Sequence, residues 1–164
     1  MKLAYIQSDA TGEVNRALTD AATRLMEQGV SVVGTIQTDT PRPKSDSCDM
    51  DVRVLPDGDV IRISQDLGPE SRGCKLDPNA LEQAVAQTMD RLDRAQLLVV
   101  NKFGKHEADG RGFREVIAEA LARDIPVIVG TNGLNLQAFL DFCGGEATQV
   151  LATPDSIVDW ARQG

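Results

Sequence analysis

The sequence predicts an α/β fold, in which a mainly parallel sheet lies between two layers of helices. Two apolar runs, Leu97–Val100 and residues 125–129, are too short for helices and have the length of buried parallel strands. Segments with the apolar spacing of amphipathic helices separate the strands along the chain. A stretch that alternates apolar and polar residues around a turn predicts one antiparallel hairpin, inserted early in the sheet.

Chain length and charge restrict the class of protein. The 164 residues predict a single domain over residues 1–164. A net charge of −8 argues against binding to nucleic acid or to an anionic membrane surface, since both require a basic face. No run reaches the roughly 20 apolar residues of a membrane span, and the N-terminus does not resemble a secretory signal. We therefore expect a cytoplasmic protein, and the oligomeric state stays open.

The first part of the chain predicts a β-α-β unit followed by the hairpin. Gly29 is placed to end the first helix, because glycine readily adopts the left-handed conformation found there. Pro41 and Pro43 oppose regular structure, so the segment before the hairpin is predicted as a loop. Pro56-Asp57-Gly58 is a strong turn sequence. The predicted elements are a strand at 2–7, a helix at 13–28, a strand at 30–36, a loop at 38–48 and hairpin strands at 51–55 and 59–64.

The second part predicts alternating helices and strands with clear start signals. Asp77-Pro78 and Thr153-Pro154 each combine an N-cap residue with proline at the first helical position. Gly144-Gly145 is placed to end the helix before the last strand. The predicted elements are a helix from 78, a strand at 97–100, a helix carrying apolar residues 113–121, a strand at 125–129, a short helix around 136–140, an edge strand at 148–151 and a helix from 154.

A charged loop follows the strand Leu97–Val100, and ligands of open α/β sheets bind beyond the carboxyl ends of such strands. Lys105, Arg111 and Arg114 are three cations within ten residues. Together with the start of the following helix they favour a small anion, held by guanidinium groups and backbone N–H groups. The alternative is a solvated helix start, in which the acidic residues of the loop are the partners of these cations.

The turn at residues 8–12 occupies the position at which P-loop proteins bind phosphate with the motif G-x-x-x-x-G-K-[ST]. Aligned with that motif, this chain keeps only its second glycine, Gly12. Glu13 replaces the lysine, and this reversal of charge costs roughly 2 kcal/mol even in a water-like dielectric. Val14 replaces the hydroxyl that would hold magnesium. Glu13 also has a simpler explanation, because carboxylates favour the first turn of a helix.

Three runs carry a family resemblance: NKFGKHEADGRGFR from position 101, SQDLGPESRGCKLDP from 64 and CDMDVRVLPDG from 48. They resemble a bacterial family defined as a domain of unknown function, some members of which lie beside molybdate transport genes. The order of elements is also distantly similar to the P-loop nucleoside-triphosphatases first described from thermophiles. This resemblance implies a P-loop-NTPase-like topology with an inserted hairpin.

Those triphosphatases carry the strand-end motif D-E-I-G-x-M-E. Asn101 stands for its Asp, Lys102 for its first Glu, Gly104 for its Gly and Glu107 for its last Glu. Because the two acidic residues at the strand end and the P-loop have both changed, the resemblance implies the fold better than the activity.

Metal binding and covalent catalysis find little support in the sequence. Cys48, Cys74, Cys143 and the single histidine, His106, are enough for a zinc site but lack the C-x-x-C spacing typical of one. Cys48 and Cys74 lie in the two loops that flank the hairpin, and whether they meet stays open. We expect both to be reduced and metal-free in a cytoplasmic protein. No nucleophile-elbow sequence indicates Ser/His/Asp catalysis.

We therefore expect a small-anion or nucleotide-binding module that derives from a P-loop NTPase and has lost hydrolysis, with no cofactor, metal or catalytic residue. One alternative is a phosphohydrolase or nucleotide-processing enzyme, with Glu107 as base and Lys102 or Lys105 on phosphate. Another is an accessory protein for the transport of molybdate or another oxyanion. The substitutions weigh against an enzyme without deciding the question. The candidate ligand-binding residues are Ser8, Asp9, Thr11, Gly12, Asn101, Lys102, Lys105, Glu107, Arg111 and Arg114.

Overall fold

The computed structural model describes residues 1–43, 48–65 and 75–163. Within these residues the chain forms a single sheet of seven strands. The strands are β1 (Leu3–Gln7), β2 (Val32–Pro41), β3 (Cys48–Leu55), β4 (Val60–Arg62), β5 (Leu97–Val100), β6 (Val127–Thr131) and β7 (Thr148–Gln149). They lie in the order β4-β3-β2-β5-β6-β1-β7.

The helices begin where the cap signals predict. The Asp77 carboxylate accepts hydrogen bonds from the backbone N–H groups of Asn79 and Ala80, and the Thr153 hydroxyl accepts one from that of Ser156. The helices are α1 (Glu13–Glu27), α2 (Pro78–Arg91), α3 (Lys105–Ala108), α4 (Arg114–Ala122), α5 (Leu136–Phe142) and α6 (Pro154–Arg162).

The pairing of the strands confirms the predicted α/β class. β2, β5, β6, β1 and β7 are parallel, whereas β3 and β4 form an antiparallel hairpin that extends the sheet beyond β2. The hairpin comes between β2 and α2 in the chain, as its alternating pattern predicts. The sheet is therefore mainly parallel, with one early antiparallel insertion.

Two apolar cores lie on opposite faces of the sheet, because successive strand residues point in opposite directions. On β1, Leu3 and Tyr5 face the core formed with α2, α4 and α5. Ala4 and Ile6 face the core formed with α1 and α6. The three layers predicted from the sequence are thus helices, sheet and helices.

β2 is longer than the sequence indicates, and the predicted loop at 38–48 is wrong in its first residues. The strand continues to Pro41 and pairs with β3 as far as Cys48. Pro41 is the last residue of this ladder and Pro43 lies beyond it, so the prolines end the strand without preventing the pairing of residues 38–41 with β3. Residues 44–47 lie outside the described residues.

The parallel pairing of β2 with β5 ends at Gly34, which pairs with Val99. Gly34 has φ 127°, and a Cβ at this position would lie 1.8 Å from the Val99 carbonyl oxygen, so only glycine fits. Residues 35–41 then continue past β5 paired with β3 alone. We call these residues the β2 overhang, and they form a side wall at the carboxyl edge of β5.

Two shorter elements also differ from the sequence prediction. The charged loop after β5 contains the single-turn helix α3, which the sequence pattern did not predict. The edge strand predicted at 148–151 is limited to the two residues of β7. Among the described residues, no helix combines the length and the apolar character needed to cross a bilayer.

Candidate functional site

Two adjoining cavities lie at the carboxyl edge of the parallel strands. The small cavity, of about 130 Å³, lies between the β1–α1 turn and the ends of β5 and β6. The large cavity, of about 380 Å³, lies between the end of β5, the β2 overhang and α2. The residues that line both are Gln37, Asp39, Asn101 and Lys102. We call these four residues the shared rim, and they lie where the two cavities adjoin.

The β1–α1 turn forms one side of the small cavity. Ser8 and Gly12, both predicted ligand residues, line it, and Gly12 is the N-cap of α1 in the left-handed conformation. Val14 also lines the cavity and gives this wall an aliphatic side chain. The turn therefore combines a hydroxyl, exposed backbone and an aliphatic group at the carboxyl end of β1.

Two other predicted residues of this turn lie outside the cavity lining. The Asp9 carboxylate accepts a hydrogen bond of 3.0 Å from the backbone N–H of Gly133, which ties the turn to the segment after β6. The carbonyl of Thr11 accepts a hydrogen bond from the Arg16 guanidinium at 3.4 Å. The structure therefore gives Asp9 a fixed role in the turn rather than a place in the cavity wall.

A closed set of hydrogen bonds connects four residues near the shared rim, through their side chains and the backbone N–H of Gln37. The Gln37 backbone N–H donates to Asn101 Oδ1 at 3.0 Å, and Asn101 Nδ2 donates to Asn15 Oδ1 at 2.8 Å. Asp39 accepts at Oδ2 from Asn15 Nδ2 at 3.3 Å and at Oδ1 from Gln37 Nε2 at 2.8 Å. We call Asn15, Gln37, Asp39 and Asn101 the polar ring. Asn101, only 2% exposed, uses both groups of its side-chain amide within it.

Sequence reasoning identified Asn101 but missed the other three members of the polar ring. Asp39 was placed in the predicted loop at 38–48, and Gln37 fell between that loop and the predicted strand at 30–36, although both follow the last parallel pair of β2 at the same sheet edge. The carboxyl-edge rule applied to β2 would have identified them. Asn15 lies two residues beyond the P-loop lysine position, on the first turn of α1.

Two lysines, Lys102 and Lys105, line the large cavity. Both side chains are exposed, and Lys102 also lines the small cavity. Neither ammonium has a hydrogen-bond or ion-pair partner among the residues that the structure describes. Their charges are therefore available to a ligand in the rim region.

Glu107 is buried and binds backbone groups at both ends of one segment. Its Oε1 accepts from the N–H of Gly104 at 3.0 Å and its Oε2 from the N–H of Phe113 at 3.1 Å. Burial raises the pKa of the Glu107 carboxyl, and these hydrogen bonds act in the opposite direction. Gly112 (φ 68°) is required here, because a Cβ would lie 1.8 Å from Glu107 Oε2. We call residues 104–113 the Glu107 loop.

The remaining predicted cations lie elsewhere. Arg111 lines a third cavity, of about 400 Å³, beside α2. The Arg114 guanidinium donates to the Glu107 carbonyl at 3.2 Å and lies 4.8 Å from the centroid of the Phe142 ring. The predicted group of Lys105, Arg111 and Arg114 is thus divided. Lys105 lines the large cavity, as Lys102 does, whereas Arg111 and Arg114 line neither cavity of the rim.

The single histidine is part of the wall and has a carboxylate partner. His106 is 6% exposed, and its Nε2 lies 2.8 Å from Glu82 Oε1 on α2. The same Glu82 oxygen accepts from the backbone N–H of Gly112 at 3.0 Å. This pair therefore fixes the Glu107 loop against α2.

The cysteines differ from the sequence expectation. Cys48, expected to be reduced, is disulfide-bonded. That expectation rested on compartment and ligand spacing, neither of which reports which residues the fold brings together. Cys74 lies outside the described residues, and Cys143 is a free, half-buried thiol. Within the described part of the chain, no group of three or more His, Cys, Asp or Glu side chains is arranged to hold a metal ion.

Residues 3–160 match the model of the family described as "Protein of unknown function (DUF2478)", and the chain belongs to that family. This match confirms the resemblance inferred from the sequence. The chain is also 33% identical over 151 residues to the molybdenum import ATP-binding protein ModC 2 of Bradyrhizobium diazoefficiens. These residues are 92% of this chain and 17% of that protein, so the chain spans less than a fifth of its relative's length.

Two solved structures share the fold. The crystal structure of THEP1 from the hyperthermophile Aquifex aeolicus superposes with a TM-score of 0.68 at 14% identity, over 97% of this chain and 95% of that one. The solution structure of a human cancer-related nucleoside triphosphatase gives 0.63 at 17% identity, over 91% and 87% of the two chains. These similarities confirm the predicted P-loop-NTPase-like topology.

Proposed function

We propose that this chain is a binding module for a nucleotide or another small anion, which it holds at the carboxyl edge of the sheet without hydrolysing it. Lys102 carries this proposal, because its ammonium lines both cavities and has no ion-pair partner among the described residues. It follows directly after β5, where ligands of open α/β sheets bind. The nucleoside triphosphatases with this fold and the ATP-binding relative support the same ligand class.

The partners of the charged side chains support an anion despite the overall charge of −8. Lys102 and Lys105 line the large cavity together with two carboxylates, Asp39 and Glu107. Both Glu107 oxygens accept hydrogen bonds from backbone N–H groups. Both Asp39 oxygens accept hydrogen bonds from amide groups of the polar ring. Each charge-assisted hydrogen bond from a lysine to an anion contributes about 1.5–3 kcal/mol.

The loss of hydrolysis rests on three substitutions. Glu13 and Val14 occupy the positions of the phosphate-binding lysine and the magnesium-binding hydroxyl. Asn101 occupies the acidic position after β5, and its side-chain amide is committed to Gln37 and Asn15. Without a carboxylate at that position the usual magnesium and water arrangement of P-loop enzymes lacks its main ligand.

Thermal melts in the presence of ligand test the binding proposal. At fixed ionic strength, phosphate or a nucleotide should raise the melting temperature with the logarithmic dependence of RT ln(1 + [L]/Kd). Lys102→Gln should weaken this response at least tenfold in apparent affinity. Arg53→Gln removes a cation from the exposed outer face of β3 and is the matched control. Equal responses in both variants would refute the proposal.

A steady-state assay tests the absence of hydrolysis. We expect no magnesium-dependent phosphate release from ATP or GTP above background. A turnover of about 1 s⁻¹, within the ordinary enzyme range, would contradict this expectation if a substitution of Asn15 or Asp39 abolished it.

A second candidate function is an accessory role in the import of molybdate. It is favoured by the 33% identity to a protein named for molybdenum import. A molybdate-specific shift in the same melts, absent with sulfate at equal ionic strength, would favour this role over nucleotide binding.

A further inference from the structure

The large cavity has an apolar wall that a bare inorganic anion would leave unused. Side chains from the hairpin, α2 and the end of the Glu107 loop form it, and each is at most 7% exposed. These residues are Met50, Val52, Ile63, Leu81 and Phe113. An oxyanion gains nothing from aliphatic and aromatic carbon, so the wall indicates a ligand with an apolar body.

A polar strip runs beside the hairpin part of the apolar wall. Thr35, Gln37 and Asp39 alternate along β2, and all three line the cavity. Gln37 pairs directly with Val52 and Asp39 with Met50, so the polar strip and these apolar side chains lie side by side on one face of the sheet, which α2 covers with Leu81. A planar heterocycle matches this arrangement, because its faces are apolar and its edges carry hydrogen-bonding groups.

The two cavities differ in volume, which indicates ligand groups of different size. About 380 Å³ falls within the range of roughly 300–1,000 Å³ typical of small-molecule sites, whereas about 130 Å³ lies below it. The small cavity therefore suits a compact group such as a phosphate, and the large one suits the organic part of the same molecule. Lys102, on the shared rim, lies between the two.

We infer that the ligand is a nucleoside phosphate, with its phosphate at Lys102 in the small cavity and its base in the large cavity. This inference rests on the proposed function and makes it specific. Phosphate contacts come from Lys102 and the β1–α1 turn, and the base packs on the apolar wall with one polar edge toward the strip on β2. A bare oxyanion would occupy only the small cavity.

Isothermal titration with matched ligands tests the inference. The probes are the four common nucleoside monophosphates, the corresponding nucleosides, inorganic phosphate and molybdate. At least one monophosphate should bind ten times more tightly than phosphate and than its own nucleoside, with a negative heat-capacity change from apolar burial. Phosphate or molybdate binding as tightly as every nucleotide would overturn the inference.

Substitutions that fill the large cavity separate the two proposals. Val52→Phe should weaken binding of the monophosphate at least tenfold and leave the response to phosphate unchanged, whereas Lys102→Gln should weaken both. Val60→Phe, on the 67% exposed side chain of β4, is the matched control. If Val52→Phe does not fold, as judged by circular dichroism, Leu76→Phe at a half-buried position of the same wall replaces it.

The possible outcomes are distinct. If no anion binds, the proposed function fails and the inference fails with it. If phosphate binds through Lys102 but the folded cavity-filling variant binds the monophosphate like the parent, only the inference fails. Loss of monophosphate binding in that variant, with phosphate binding retained, supports both.

Discussion

Two segments follow central parallel strands at the same edge of the sheet, yet they differ in what their side chains do. The turn at residues 8–12, after β1, is short and contributes Ser8 and Gly12 to a cavity wall. The Glu107 loop, after β5, carries far more charge. The carboxylate of Glu107, however, accepts hydrogen bonds from backbone N–H groups of the loop itself. Buried N–H groups require acceptors, and a charged residue that supplies one is removed from ligand chemistry.

The same contrast exists between neighbours. Asn101 and Lys102 are adjacent in the chain, but Asn101 is buried in the polar ring and Lys102 is exposed on the cavity rim. A hydrogen-bonded, buried residue acts through the fold, whereas an exposed, unpaired one is free to act on a ligand. Substitutions should therefore separate the two kinds of residue by their effect on stability.

The largest effect is expected from Glu107→Ala. This substitution leaves the buried N–H groups of Gly104 and Phe113 without their acceptor, and each costs about 1–3 kcal/mol. The free energy of unfolding from urea titration should fall by about 2–5 kcal/mol. Asp90→Ala, on the exposed face of α2, is the control and should change it by less than about 0.5 kcal/mol. A similar small change for both would mean that the loop does not depend on Glu107.

Asn101→Ala should have the next largest effect. It leaves the Gln37 backbone N–H unpaired and opens the polar ring, which should lower the free energy of unfolding by about 1–3 kcal/mol. Asn15→Ala removes the partner of Asn101 Nδ2 but leaves the Gln37 N–H paired with Asn101 Oδ1, so urea titration should give a smaller loss. If Asn15→Ala cost as much as Asn101→Ala, the hydrogen bond to Gln37 would not be the main cause.

The raised pKa of Glu107 predicts a pH dependence of stability. Above the ordinary carboxyl value of 4.5, the folded state keeps this proton to a higher pH than the unfolded state. Unfolding then releases a proton, so the contribution of Glu107 to stability falls as pH rises from 4.5 to its folded pKa. Urea midpoints of the parent and of the non-titrating Glu107→Gln variant, from about pH 4 to about pH 7, should differ with this sign. If the urea midpoint of the parent rose relative to that of Glu107→Gln as pH increased, the predicted sign would be wrong.

The smallest effect on stability is expected from Lys102→Gln. The side chain is exposed and has no ion-pair partner within the described residues, so the free energy of unfolding should change by less than about 0.5 kcal/mol. The same urea titration that detects Asn101→Ala provides the measurement. A loss as large as that of Asn101→Ala would place Lys102 among the structural residues and remove the contrast between the two neighbours.

The fold was predictable because its signals are local. The short apolar runs, the caps at Asp77 and Thr153 and the hairpin turn each depend on a few adjacent residues. The extension of β2 to Pro41 was not predictable in this way, because its hydrogen bonds come from β3. The prolines predicted a loop there, but hydrogen bonding to β3 makes the segment a strand as far as Pro41.

The candidate site was predictable in place but only partly in composition. Ser8, Gly12, Asn101 and Lys102, which the carboxyl-edge rule indicated, line the small cavity, and their contact with a ligand stays a prediction. The rule did not indicate that the Glu107 side chain would be buried. The N–H groups that need this carboxylate as an acceptor can be identified only in the folded loop. The apolar wall was likewise not evident, since its residues are ordinary core residues in the sequence pattern.

The β2 overhang has a consequence for how ligand preference can diverge among related proteins. Its backbone is held by the ladder with β3, which forms whatever side chains the strand carries. Exchanges at Thr35, Gln37 and Asp39, which line the large cavity, therefore leave this ladder in place, while those at Gln37 and Asp39 also alter the polar ring. The backbone of the strand sets its position in the sheet and its side chains set the cavity surface, so new binding preferences can arise there while the sheet is kept.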